Sequence, residues 1–102
     1  MKYQLVIQFE ARSLDEFNDL VTFEEALRGS IGDSSFVDGH DFGGGELNIF
    51  VLTDDPASAF LGVQQVARIT NLGRKMKAAY RDPMGDKYHL LWPPDLMEFK
   101  VS

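Results

Sequence analysis

The chain has no cysteine among its 102 residues. Disulfides, thiolate metal sites and cysteine nucleophiles are therefore excluded, as is the cross-link on which small secreted domains depend. Basic residues are scarce where acids are plentiful: residues 13–55 hold eleven Asp and Glu against one base, Arg28. A nucleic-acid-binding surface needs the opposite balance, so direct contact with DNA or RNA is not expected. No apolar run approaches the length that crosses a bilayer. The opening stretch Met1–Glu10 is too short and too polar for a signal peptide. The expected setting is soluble and cytoplasmic, with no membrane contact.

What is present suffices for one ordinary domain over residues 1–102. Hydrophobic residues make up 44% and aromatics 12% of the chain, enough to bury a core. The formal net charge is −6, unevenly spread. Residues 68–87 carry six bases (Arg68, Arg74, Lys75, Lys77, Arg81, Lys87) against Asp82 and Asp86, so the chain is polarised along its length. An acidic half of this kind attracts and steers a basic protein. Asp15, Asp19, Glu24, Glu25 and Asp33 are the residues expected to form that face.

The element pattern is legible from periodicity. Tyr3, Leu5, Ile7 and Phe9 alternate with Gln4, Val6 and Gln8, the signature of a strand with one buried face. Ser13-Leu14-Asp15-Glu16 is a capping box. Leu14, Phe17, Leu20, Val21, Leu27 and Ile31 then recur at helical spacing up to the glycines Gly29–Gly32. Strands are expected over Phe36–Phe42 and Leu47–Leu52, joined by a turn at Gly43-Gly44-Gly45. Asp54-Asp55-Pro56 starts a second helix, carrying Ala59 or Phe60, Val63, Val66 or Ala67 and Thr70 inward and ending at Gly73. Lys75–Arg81 and Lys87–Trp92 complete the strands around a turn at Asp82–Asp86. Pro93-Pro94 stops the last strand, and Leu96, Met97 and Phe99 suit a tail docked on something apolar.

The order β-α-β-β-α-β-β predicts an α+β fold, a ferredoxin-like antiparallel sheet with an extra C-terminal strand and both helices on one face. The other face would then be open, with Val6, Phe50, Leu52 and Leu91 as candidates for it. A large exposed apolar face is uncommon on a monomer, so a homodimer through it is expected.

The densest chemistry lies in Val37–Phe50, which places three acids, one His and four Gly between two strand-like runs. Asp38, His40, Asp41 and Glu46 are metal- or ligand-binding types, but convergence of three or four is what makes a site. Strand alternation puts Asp38 and His40 on one face and Asp41 on the other. No metal and no cofactor is expected. Gly43-Gly44-Gly45 leads from strand to strand without a nearby Lys, so it is not a phosphate cradle. No G-x-S-x-G elbow or other placed nucleophile accompanies the histidines His40 and His89, and no catalytic residue is assigned. Asn48, inside the most apolar strand, either faces solvent or ties that strand to Asp38–Asp41 or to a partner; if buried, it needs hydrogen bonds. Tyr88, Leu90 and Trp92 are expected on one face of the last strand, with Trp92 in the core.

The run Asp38-Gly39-His40-Asp41-Phe42-Gly43-Gly44-Gly45-Glu46-Leu47-Asn48-Ile49-Phe50, with Thr53-Asp54-Asp55-Pro56 and Leu91-Trp92-Pro93-Pro94, resembles a group of small uncharacterised bacterial proteins of this length. The resemblance brings no activity, substrate or catalytic residue. In size and charge the chain is also similar to immunity proteins that neutralise basic nuclease toxins. Three functions follow as expectations: a non-enzymatic acidic protein-binding module, with an immunity-like inhibitor of a basic toxin as its sharpest form; a small-ligand or metal-binding domain using Asp38, His40, Asp41, Glu46 and Asn48; and a structural dimeric domain.

Overall fold

The computed structural model describes residues 2–70, 72 and 76–101. Strand β1 (Tyr3–Glu10) leads to helix α1 (Leu14–Ser30), the hairpin β2 (Ser35–Gly43) and β3 (Glu46–Thr53), helix α2 (Pro56–Thr70), and the hairpin β4 (Lys77–Arg81) and β5 (His89–Trp92). The strands form one antiparallel sheet in the order β2-β3-β1-β4-β5. This is an α+β architecture compatible with a ferredoxin-like arrangement, and it departs from the four-stranded pattern by carrying β5 outside β4. The expected end of α2 at Gly73 and the bases Arg74 and Lys75 lie outside the described residues.

Local chemistry sets the boundaries. The amide of Glu16 donates to Ser13 Oγ at 3.1 Å, capping α1. The Glu16 side chain reaches back, but to the amide of Arg12 at 3.4 Å. Helix α2 starts at Pro56, and the amide of Ser58 donates to Asp55 Oδ1 at 3.1 Å. The β2–β3 turn is made by Gly44 and Gly45, with φ of 61° and 78°, a backbone that suits glycine.

The helices cover one sheet face. Leu5, Ile7 and Phe9 of β1 meet Leu20, Phe23 and Leu27 of α1 and Ala59, Phe60, Val63, Val66 and Ala67 of α2 in the main core. Leu14, expected inside, is 73% exposed, while Phe23 is fully buried in the core.

The other face is covered at its centre, while Phe36 and Leu90 on it stay 53% and 40% exposed and Leu52 half-buried. Val6 and Ala79 are fully buried there, beneath Phe99, Leu96, Val101, Tyr88 and Phe50. The C-terminal tail therefore covers Val6 and part of Phe50, the centre of the surface on which the dimer was expected. Leu91 packs on the helix-side core and was wrongly assigned to that surface. Phe99 docks as expected, while Met97 stays 90% exposed. The tail makes a turn, with the Leu96 amide donating to the Pro93 carbonyl at 3.0 Å, and then runs on without a helix.

Strand β5 also corrects an expectation. Ala78 pairs with Trp92 but Ala79 pairs with Leu90, so Leu91 is an extra residue and the register shifts. Trp92 consequently joins the helix side, 6.4 Å from the Phe60 ring, whereas Tyr88 joins the tail side, 5.0 Å from Phe99.

Candidate functional site

Strand β2 lies at one edge of the sheet and pairs only with β3. Val37 pairs with Val51 and Gly39 with Phe50, which leaves Asp38 as the extra residue of a bulge. Gly39 has φ 145°, a conformation that side-chain-bearing residues rarely adopt. One extra residue inverts the facing of everything after it. His40 and Phe42, opposite Ile49 and Leu47, turn to the helix side, and Asp41, opposite Asn48, turns to the tail side.

On the helix side, His40 meets Glu24. Nδ1 of His40 donates to Oε1 of Glu24 at 2.8 Å. The Glu24 side chain is 4% exposed and the His40 side chain 31%. Glu24 is thus a correction: it was expected on the exposed acidic face, and it points inward. Its second oxygen, Oε2, is buried with no hydrogen-bond partner among the described residues, and Arg28 Nη2 stands 3.9 Å away. Arg28 Nη1 donates instead to the carbonyl of Val37 at 2.9 Å, beside the bulge. The signal that marks Glu24 in the sequence is its spacing: it lies four residues after Leu20 and three before Leu27, within the buried stripe.

Phe17 stands edge-on to both rings of this face, 6.0 Å from His40 and 5.6 Å from Phe42. Phe17, Phe42, Leu14, Ala11, Arg12 and Ser13 line a shallow cleft of 460 Å³ between the start of α1 and the edge strand. Phe42 is 52% exposed. Helical spacing places Phe17 and Leu14 inward; Phe17 does pack against the main core, but spacing misses the exposed Leu14 and the cleft the two share.

On the tail side, three strands contribute one polar row. Asn48 Nδ2 donates to Asp41 Oδ1 at 3.1 Å, and Gln8 Nε2 donates to Asn48 Oδ1 at 2.9 Å and to the Lys100 carbonyl at 2.7 Å. Asn48 is fully buried, and the row supplies the hydrogen bonds that burial demands. Of the two readings of Asn48, the tie to the Asp38–Asp41 segment is the one the structure contains.

Of the five hairpin residues singled out from the sequence, Asp41 and Asn48 therefore meet and the others stand apart from them. Asp38 is exposed at the bulge, His40 faces α1, and Asp41 and Asn48 face the tail. Glu46 begins β3 opposite Glu10, bordering a separate cleft of 420 Å³ with Arg12, Glu16 and Lys77. Among the described residues no group of three or more His, Cys, Asp or Glu converges as a metal site. The acidic positions Asp15, Asp19, Glu25 and Asp33 are exposed, as are Asp38 and Asp41. No helix among the described residues is long and apolar enough to cross a membrane.

The fold and site thus define an α+β domain with an exposed aromatic cleft beside an acidic edge strand. No family model matches the chain, and no curated protein or solved structure matches it.

Proposed function

We propose that the chain is a non-enzymatic protein-binding module whose acidic side receives a basic partner, with an immunity-like inhibitor of a basic toxin as the sharpest form of that reading. The observation that supports it best is the cleft at Leu14, Phe17 and Phe42, an apolar surface lying within the acidic segment. Interfaces combine a desolvated apolar centre, rich in aromatics, with a polar rim. The one charged residue lining the cleft, Arg12, is paired with Glu10 at 2.8 Å. The exposed charges of the surrounding segment are mostly carboxylates, among them Asp15, Asp19 and Asp41, so complementarity favours a basic partner and accelerates encounter with it. The small-ligand reading had the hairpin as its site, and the separation of Asp38, His40, Asp41 and Glu46 favours the protein-binding reading over it.

The test is recovery of a partner at low ionic strength with two immobilised baits, the native chain and the Phe42→Ser variant. Phe42 is half exposed, so the substitution leaves folding nearly unchanged. A basic protein retained by the first bait and lost from the second supports the reading. Its association rate is then expected to fall steeply as salt rises, and to fall further when Asp15 and Asp19 are changed to Asn. Recovery of no basic protein, or equal recovery on both baits, overturns it.

A further inference from the structure

Resting on that reading, we infer how the partner is held: as a short extended segment added to the outer edge of β2 over residues 39–43, with basic and apolar side chains alternating along it. The two-residue loop Gly44-Gly45 closes the hairpin on the pair Gly43 and Glu46. In such a hairpin that flanking pair exchanges both backbone hydrogen bonds, and antiparallel pairs alternate thereafter. Asp41 therefore bonds towards β3, while the N–H and C=O of His40 and of Phe42 point away from it. Among the described residues no strand lies beyond β2. An unpaired edge of this kind is a template for strand addition, in which backbone hydrogen bonds supply affinity and alternate side chains supply specificity.

The side chains specify the occupant. Residues opposite Phe42 and His40 on an added strand would share their face and enter the cleft against Phe17, which suits apolar side chains. The residue between them would lie on the opposite face, beside the Asp41 carboxylate, which suits Lys or Arg. The other half of the edge is closed to pairing. Asp38 bulges out of the ladder, and Arg28 occupies the carbonyl of Val37. A second copy of this chain is a poor occupant, because a two-fold pairing centred on this window sets Asp41 against Asp41, and like charges across a strand pair repel.

Two blocked heptapeptides test the inference, one alternating Val and Lys and one with the same residues in separate blocks. The full chain is titrated with each, and amide exchange is followed residue by residue. The alternating peptide is expected to bind about tenfold more tightly than the blocked one, a single decade in the dissociation constant. On binding, the amides of His40 and Phe42 are expected to slow by about tenfold or more, because exchange requires the added strand to open. Asp41→Asn is expected to weaken the alternating peptide and to leave the blocked one unchanged. Equal affinity of the two peptides overturns the inference, as does binding that leaves His40 and Phe42 exchange unchanged. Slow exchange at those two amides without peptide, accompanied by dimer in sedimentation, overturns it in favour of a second copy. A basic protein that needs Phe42 but leaves these amides unprotected sinks the strand geometry alone and leaves the protein-binding reading intact.

Discussion

The pair of Glu24 and His40 yields a stability prediction with a definite sign at each corner of a mutant cycle. Glu24 is buried, and its one side-chain hydrogen bond comes from His40 Nδ1 at 2.8 Å. Oε2 already lacks a partner among the described residues. The substitution His40→Ala removes the remaining bond and leaves a buried carboxylate with only Arg28 Nη2, 3.9 Å away. Stranding one member of a buried charged pair costs about 3–5 kcal/mol, and an unmade hydrogen bond to a neutral buried group about 1–3 kcal/mol. The His40 side chain is 31% exposed, so water can enter where the ring stood, and the cost belongs near the meeting point of those ranges. We expect about 2–3 kcal/mol, or a fall in melting temperature of about 10–20 °C for a domain of this size.

The reverse substitution behaves differently. Glu24→Met removes the carboxylate and its orphaned oxygen together and leaves His40 near enough to solvent to be hydrated. Replacing a buried polar partner by an apolar group of similar volume is close to neutral, within about 1 kcal/mol. The double variant is then expected to resemble Glu24→Met, with a coupling energy of about 2 kcal/mol. Urea titration followed by far-ultraviolet circular dichroism measures all four proteins, with an unchanged slope confirming that stability alone has moved. His40→Gln, which can still donate, should recover part of the loss. The reasoning fails if His40→Ala costs less than about 0.5 kcal/mol, the level of an ordinary surface change, or if the double variant is as unstable as His40→Ala.

Gly39→Ala is expected to destabilise by about 1–3 kcal/mol in the same assay, purely through its φ of 145°, because the added Cβ meets nothing within 4 Å. Asn48→Asp replaces the donor that Asp41 accepts at 3.1 Å with a second, fully buried carboxylate, and should cost about 3 kcal/mol or more. Sedimentation equilibrium at about tens of micromolar, a normal range for dimer affinities, should find the full chain monomeric, whereas deletion from Leu96 onward should expose Val6, Phe50 and Ala79 and produce self-association; a dimeric full chain would contradict the role given to the tail.

Much of this fold is written in short-range signals. The alternation in β1 survives intact, with Leu5, Ile7 and Phe9 on one face and Val6 on the other. Ser13 and Pro56 mark the helix starts because capping and the missing proline amide act within a few residues. The misplaced residues depend on distant chain. Leu14 obeys the helical spacing but lies in the open cleft beside Phe42 rather than in the core. Glu24 breaks the apolar stripe of α1 because a histidine sixteen residues later supplies its bond. Val6 needed a cover, and periodicity does not tell a second copy from the end of the same chain.

The bulges are the deeper obstacle to reading the site, and they also explain why the two sheet edges differ. Sequence alternation assigns faces by parity, and one extra residue reverses parity for the rest of a strand. Asp38 does this in β2 and Leu91 in β5, and in each case an aromatic ring, Phe42 or Trp92, is delivered to the helix side. The consequences diverge with length. Strand β5 has four residues and ends at Trp92, before two prolines that have no amide to offer a ladder, so that edge is blunted. Strand β2 has nine residues, and beyond its bulge five remain in regular register up to the turn. Arg28 blocks the half of β2 before the bulge and nothing among the described residues blocks the half after it. The same displaced residue therefore breaks up the apparent Asp38–His40–Asp41 cluster and builds an edge with Phe42 on one face and Asp41 on the other. Deleting Asp38 should remove the bulge yet keep every pair after it, so Gly39 stays opposite Phe50, Phe42 stays on the helix side and Asp41 stays on the tail side. Binding of a basic partner is then expected to survive the deletion, whereas an added residue between Gly39 and His40 should invert the facing or shift the register and abolish it; loss of binding on deleting Asp38 would contradict the part given to residues 39–43.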